Sequence, residues 1–139
     1  MTDTQKEIGQ QRRSDTMGDR ICIALRNRGK TTPIFYGHWC GMRGLLAMNE
    51  VLRGQNNDMF NVMCNFIVMV MGGAPQPYSY YLYNNEQGYS ETADWDNWFW
   101  EYDVVTELWY TTHPDYDKEG KGLTMDEVDK IAKENGYQM

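Results

Sequence analysis

Between Asp19 and Arg26 apolar and other residues alternate, with Ile21, Ile23 and Leu25 on one side and Arg20, Cys22, Ala24 and Arg26 on the other. That two-residue period predicts a half-buried strand. NRGK turns the chain, and TTPIFYGHW, rich in β-branched and aromatic residues with Pro33 near its start, predicts the second strand of a hairpin. Past Gly41 the period lengthens. Met42, Leu45, Leu46, Met48, Asn49 and Leu52 recur at three- and four-residue steps, predicting a helix that Gly54 ends. In GQNND, Asn57 or Asp58 can cap a second helix running to Met71, apolar on nearly every side and therefore expected to be buried. GGAPQP stops it. YSYYLYNN alternates again, and in NWFWEYDVVTEL Trp98, Trp100, Tyr102 and Val104 face one way while Phe99, Glu101, Asp103 and Val105 face the other. These segments are expected to pair antiparallel across the loop EQGYSETADWD. Last, TMDE places Glu127 three residues after Thr124, the spacing of a capping box, so a short helix should run from there to about Asn135 and end at Gly136.

The order β-β-α-α-β-β-α lacks regular β-α alternation, which predicts an α+β fold: a mainly antiparallel sheet of about four strands with helices packed on one face. At 139 residues the chain fits a single domain. Residues 1–16 hold one large aliphatic residue, Ile8, and read as a disordered N-terminal arm preceding a domain of residues 17–139. The sequence MGDR at Met17 reads equally as a chain start. The arm has no apolar stretch of the secretory kind. The longest apolar run, Met59 to Met71, has 13 residues, whereas a membrane span needs about 20. Cys22, Cys40 and Cys64 are odd in number and lack CxxC spacing, so a disulfide framework is not expected and a cytoplasmic location fits.

Charge changes the picture along the chain. Residues 1–53 carry nine Lys and Arg against five Asp and Glu, whereas residues 54–139 carry four against 15. An acidic half repels phosphates, which argues against direct nucleic-acid binding even though Arg12, Arg13, Arg20, Arg26 and Arg28 offer local contacts.

MGDRICIAL, IFYGHWCGMRGLL and LRGQ together resemble a group of small phage and prophage-type proteins without an established activity. Members of that group begin M-G-[DN]-R-x-x-[IV] and continue to an aromatic-x-His-Trp-x-Gly segment before a helix. The likeness covers residues 17–54 and only loosely the later strands. It implies a mobile-element accessory protein acting on host defence or regulation. In the group the position of Cys40 is more often Asn or Gly.

The segment from Gly37 to Gly44 concentrates candidate chemistry. If a strand ends near Trp39 and a helix starts near Gly41, the first-turn amides lie beside Cys40, and the helix dipole favours an anion or a thiolate there. Arg43 adds a fork of donors for a phosphate or carboxylate. His38, Trp39, Cys40, Gly41 and Arg43 are thus the candidate ligand-binding set, for a small anion or a nucleotide. The alternative is an enzyme with Cys40 as nucleophile and His38 as base, on a phosphorylated or acyl substrate. The same residues also serve a plain structural corner, with Trp39 as anchor and the glycines as a tight turn. A zinc centre would need two further ligands from Cys22, Cys64 and His113.

Three other stretches carry less. NRGKTT holds the GKT of a phosphate loop, but Ala24 replaces the upstream glycine and the turn joins two strands, so that reading is rejected. DYDKEGKGLTMDE resembles a calcium loop through Asp115, Asp117 and Glu119, yet the spacing slips, and one inserted residue would be needed to bring Glu127 into register. From Glu86 to Tyr110 there are seven carboxylates and no Lys or Arg, so Trp95, Phe99, Glu101 and Asp103 are candidates for docking a basic protein partner. Lacking a complete catalytic constellation or any cofactor motif, the chain is read as a binding protein rather than an enzyme, acting through this acidic aromatic face or the 37–44 turn.

Overall fold

The computed structural model describes residues 18–54, 58–72, 80–84 and 96–139. The arm of residues 1–16, Met17, most of the GQNND turn, most of the GGAPQP stop and most of the acidic loop with Trp95 lie outside the described residues. The elements are β1 (Ile21–Asn27), β2 (Lys30–Thr31), β3 (Ile34–Gly37), α1 (Arg43–Gly54), α2 (Met59–Met71), β4 (Tyr80–Tyr83), β5 (Phe99–Asp103), β6 (Leu108–Thr111) and α3 (Met125–Glu134). No helix among the described residues is long and apolar enough to cross a membrane.

The α+β class holds, but the sheet is mixed and has six strands, in the order β4-β3-β1-β5-β6 with β2 also on β1. β1 is central. It pairs antiparallel with β3 and parallel with β5, with Cys22 opposite Phe99 and Arg26 opposite Asp103. The expected pairing of the YSYYLYNN and NWFWEYDVV segments is therefore replaced: β4 joins β3 at one edge, and β5 enters on the far side of β1. Pairing neighbours in sequence misses this, because the chain crosses the sheet between the two strands. The single strand expected over NWFWEYDVVTEL is instead a hairpin of β5 and β6, broken at residues 104–107. Asp103 sets that turn, its Oδ1 accepting from the amides of Val105 at 2.8 Å and Thr106 at 3.2 Å.

β1 was expected to be half-buried, yet both its faces are covered from Ile21 to Leu25. Ile21, Ile23 and Leu25 face the helices; Cys22 and Ala24, small and apolar, lie on the other face with Ile34 and Tyr36. The hairpin turns at Arg28 and Gly29, both with positive φ, the conformation that matches the twist of the flanking strands. Arg26 opposes Thr31 while Ile23 opposes Phe35, one residue out of step, so the returning strand bulges at Thr32 and Pro33. Thr32 keeps the ladder satisfied there: its Oγ1 accepts from the Leu25 amide at 3.0 Å and its own amide donates to the Leu25 carbonyl at 2.9 Å.

One core lies between the helices and one sheet face, joining Ile21, Ile23 and Leu25 to Leu45 and Met48 of α1, Phe66 of α2, Trp100, Trp109, and Val128 and Ala132 of α3. Burying each large side chain contributes roughly 1.5–3 kcal/mol. A polar hub crosses this core. Asn49 is fully buried; its Oδ1 accepts from Trp109 Nε1 at 2.7 Å, and its Nδ2 donates to the Met125 carbonyl at 3.1 Å and to Asp129 at 2.8 Å. The capping box of α3 forms as expected, with Thr124 Oγ1 accepting from the Glu127 amide and the Thr124 amide donating to Glu127. α2 departs from expectation: one side is in the core and the other faces solvent.

Candidate functional site

The strand-to-helix corner forms where the sequence places it, with β3 ending at Gly37 and α1 beginning at Arg43. Several of its donors are used within the chain. The Gly44 amide donates to the Gly41 carbonyl at 3.1 Å and the Leu45 amide to the Met42 carbonyl at 3.0 Å, tight i to i−3 bonds that close the first turn on itself. The backbone of Asp19 brackets the corner, its amide donating to the His38 carbonyl and its carbonyl accepting from the Gly41 amide at 2.9 Å. The Asp19 carboxylate lies against Gly41 in the same corner. One oxygen accepts from Tyr137 Oη at 2.5 Å and the other from Asn97 Nδ2 at 2.6 Å. Gly41 sits here at φ 56° with no room for a side chain, since a Cβ would meet the Asp19 carboxylate and the Tyr137 ring.

Cys40 is sealed in the same corner. It is 5% exposed, and a Cβ on Gly37 would lie 2.6 Å from its sulfur, so the glycines make room for the thiol instead of for a ligand. Burial pushes the thiol up to about 12, with Asp19 adding to the rise, against the opposing pull of Arg43 and of the Cys40 and Gly44 amides. The sulfur is therefore a protonated core group at neutral pH, without the thiolate that nucleophilic attack requires. His38 is directed elsewhere, its Nδ1 2.7 Å from Tyr36 Oη. Tyr36 belongs to the apolar cluster on one sheet face and Cys40 to the core on the other, so no imidazole-thiol pair forms. Burial and the nearby Arg20 charge hold His38 below the ordinary histidine value, with Asp96 opposing. Trp39, which a structural corner would use as an anchor, points outward and is exposed. Arg43 is half-buried at the start of α1. The nucleophile reading of this corner thus lacks the reactive sulfur on which it depends.

The face of the sheet away from the helices holds the other candidates. Cys22, Ala24, Ile34 and Tyr36 form a second cluster, flanked by Tyr83 and Phe99, all of them strand residues among those described. Glu101 and Asp103 are on this face but are not free acids. Arg26, brought alongside by the parallel register, bonds Asp103 through Nε at 2.8 Å and Glu101 through an Nη at 3.1 Å, and its guanidinium lies 4.5 Å from the centre of the Tyr110 ring. Burial raises the Glu101 carboxyl above its usual range despite Arg26. Burial works the same way on Asp103, but hydrogen bonds from Arg26 and from the Thr106 and Val105 amides together hold it below. Arg20 binds Asp96 at 2.8 Å nearby. The expected acidic ribbon is, in its described part, an aromatic surface edged by paired charges. Arg26 is the residue whose role there was not anticipated. Its position on the same side as Cys22 and Ala24 was visible in the alternation, but its partners were not without the β1–β5 pairing.

The calcium-loop carboxylates do not converge. Asp117 Oδ1 accepts from the Gly122 amide at 2.8 Å, Glu119 pairs with Lys121 at 3.1 Å, and Glu127 is held in the capping box. The Asp115 amide donates to His113 Nδ1. Among the described residues no group of three or more His, Cys, Asp or Glu is arranged to hold a metal ion. Every buried side-chain nitrogen and oxygen among them has a hydrogen-bond partner. Comparison with family models, with curated proteins and with solved structures gives no match to this chain.

Proposed function

We propose that the protein acts by binding a protein partner, as a cytoplasmic accessory protein of the mobile-element type that its N-terminal segments resemble, and not by catalysis. The observation that carries this reading is the pair of half-buried aromatic side chains, Tyr83 and Phe99, that lie against the second apolar cluster, whose own residues are buried. Among the described residues the cluster is made of strand residues, and no described helix packs on it. A rigid sheet carrying aromatic side chains between paired charges suits a protein surface, because aromatic groups supply contact area at low entropic cost and the rim charges set orientation. With Glu101 and Asp103 paired to Arg26, contact area matters more than net charge, so binding should survive moderate salt.

The test is capture from host-cell extract by the immobilised chain, comparing the wild type with Phe99→Ser and with a control on the exposed β5–β6 turn, Val105→Ser. The reading expects a defined set of partners at moderate salt, lost in Phe99→Ser and kept in Val105→Ser. Capture by Phe99→Ser equal to the wild type would sink it.

A further inference from the structure

A cavity lies apart from both regions described above. β1 and β5 run parallel side by side, and past their carboxyl ends the chain leaves in opposite directions, from β1 toward β2 and β3 and from β5 toward β6. Such a parting opens a crevice at the ends of a parallel pair. Here it forms a cavity of about 500 Å³ on the helix side, walled by the register partners Leu25 and Tyr102 and by the last turn of α1 and the first turns of α2 and α3. Leu52, Met59, Val62 and Met125 make most of its lining apolar. Two polar side chains break that lining. Tyr102 is 3% exposed, and its Oη makes no hydrogen bond among the described residues. Every fully enclosed side-chain oxygen among them is bonded, so the Tyr102 oxygen is not enclosed: it opens on the cavity that its ring lines. Burial, together with the charges of Glu107 and Asp103, pushes this phenol up to about 12, and it stays protonated. Glu107 lies at the rim, and its carboxylate has no ion pair among the described residues. Arg53, also at the rim, is already set against Asp126 at 2.9 Å and Asp129 at 2.7 Å, so Glu107 leaves the rim negative.

We propose that this cavity binds a small organic amine with an apolar body, its ammonium group held between the Tyr102 oxygen and the Glu107 carboxylate and its hydrocarbon against Leu52, Met59 and Val62. The two polar groups divide the recognition. The phenol oxygen accepts one ammonium N–H deep in the wall, where an unanswered polar atom is costly, and the carboxylate supplies the opposite charge at the rim. An anion with the same body meets Glu107 as a like charge, and a neutral molecule leaves that carboxylate without a counter-charge. Met59 and Met125 are flexible enough to fit bodies of differing shape, so the head group and not the body sets the class of ligand. The cavity lies on the helix side of the sheet and is independent of the partner-binding face described above.

Isothermal titration of the full chain tests this with three probes that share one body, phenethylamine, phenethyl alcohol and hydrocinnamate, with circular dichroism confirming that each variant is folded. The amine should bind saturably, the alcohol about tenfold more weakly, and the acid not measurably. Tyr102→Phe keeps the ring against Trp109, 5.4 Å away between centres, and removes only the oxygen. It and Glu107→Gln should each weaken the amine about tenfold. Glu119→Gln, whose native carboxylate pairs with Lys121 away from the cavity, should bind as the wild type does. In methyl spectra the Met59 and Met125 signals should move as the amine is added, and that of Met42, in the Gly37 to Gly44 corner, should stay. No saturable heat from the amine at millimolar concentration overturns the proposal. So does amine binding that Tyr102→Phe and Glu107→Gln both leave unchanged, or acid that binds as tightly as the amine.

Discussion

Asn49 shows how much one side chain can decide. The three-and-four spacing of α1 places it among core positions, where an amide is costly unless every group on it is bonded. Bonds to Trp109, Met125 and Asp129 meet that condition and tie α1 to β6 and α3. Asn49→Ala strands the Trp109 indole N–H and the Met125 carbonyl, and should lower unfolding free energy by about 2–4 kcal/mol in a urea titration. Gly41 makes a second case. Gly41→Ala meets both a left-handed backbone and the Asp19–Tyr137 contact, and should cost at least about 2 kcal/mol. Gly54→Ala, with nothing within 4 Å of the added carbon, should cost nothing measurable in the same titration. Thiol labelling of the native chain is expected at Cys64 alone, with Cys22 and Cys40 labelled only after denaturation, as mass spectrometry of the modified peptides would show.

At the scale of elements, most boundaries were legible because the determinants are local. Alternation located β1, the three-and-four spacing located α1, and the Thr124 to Glu127 spacing announced a capping box that forms in full. Thr124→Ala removes it and should cost about 1 kcal/mol, read as a lower thermal midpoint. Two elements were misread for physical reasons. In α2 an apolar residue at nearly every position looks like burial, but a helix packed on one side buries only the stripe it presents, and sequence cannot say which side is left over. In NWFWEYDVVTEL alternation continues through a turn that Asp103 makes with its own side chain, a bond that leaves no mark on periodicity. The corner at Gly37 to Gly44 was also placed correctly, yet what occupies it was not. Asp19, Asn97 and Tyr137 come from distant parts of the chain to close it.

For the whole molecule, the arrangement of charge decides behaviour more than its total. The sequence divides into a basic and an acidic half, and the parallel pairing of β1 with β5 sets Arg20 and Arg26 against Asp96, Glu101 and Asp103. The pH response follows from the groups that burial disturbs. Burial holds His113 below the ordinary 6.5, and its Nδ1 accepts from the Asp115 amide; His38 shifts the same way. A lowered histidine favours the fold while neutral, so that stability is fully present above 6.5 and is lost as pH falls through the folded-state values. Asp103, held below 3.8, loses its contribution only in stronger acid. Glu101 acts in the opposite sense: raised above 4.5, it favours the fold when protonated, an effect lost as pH rises through its folded-state value. The thermal midpoint should therefore fall between about pH 7.5 and pH 5.5, and His113→Asn, which keeps an acceptor near the Nδ1 position, should flatten that fall.

The central position of β1 also bears on how the protein is made. Its partner on one side follows within a few residues, whereas its partner on the other begins at Phe99. A nascent polypeptide that has emerged only as far as α2 would expose Ile21 to Leu25 along one open backbone edge, the kind of template on which strands from other chains add. Rapid translation through β5, or a chaperone that shields that edge, should raise the yield of native protein without any change in its final stability.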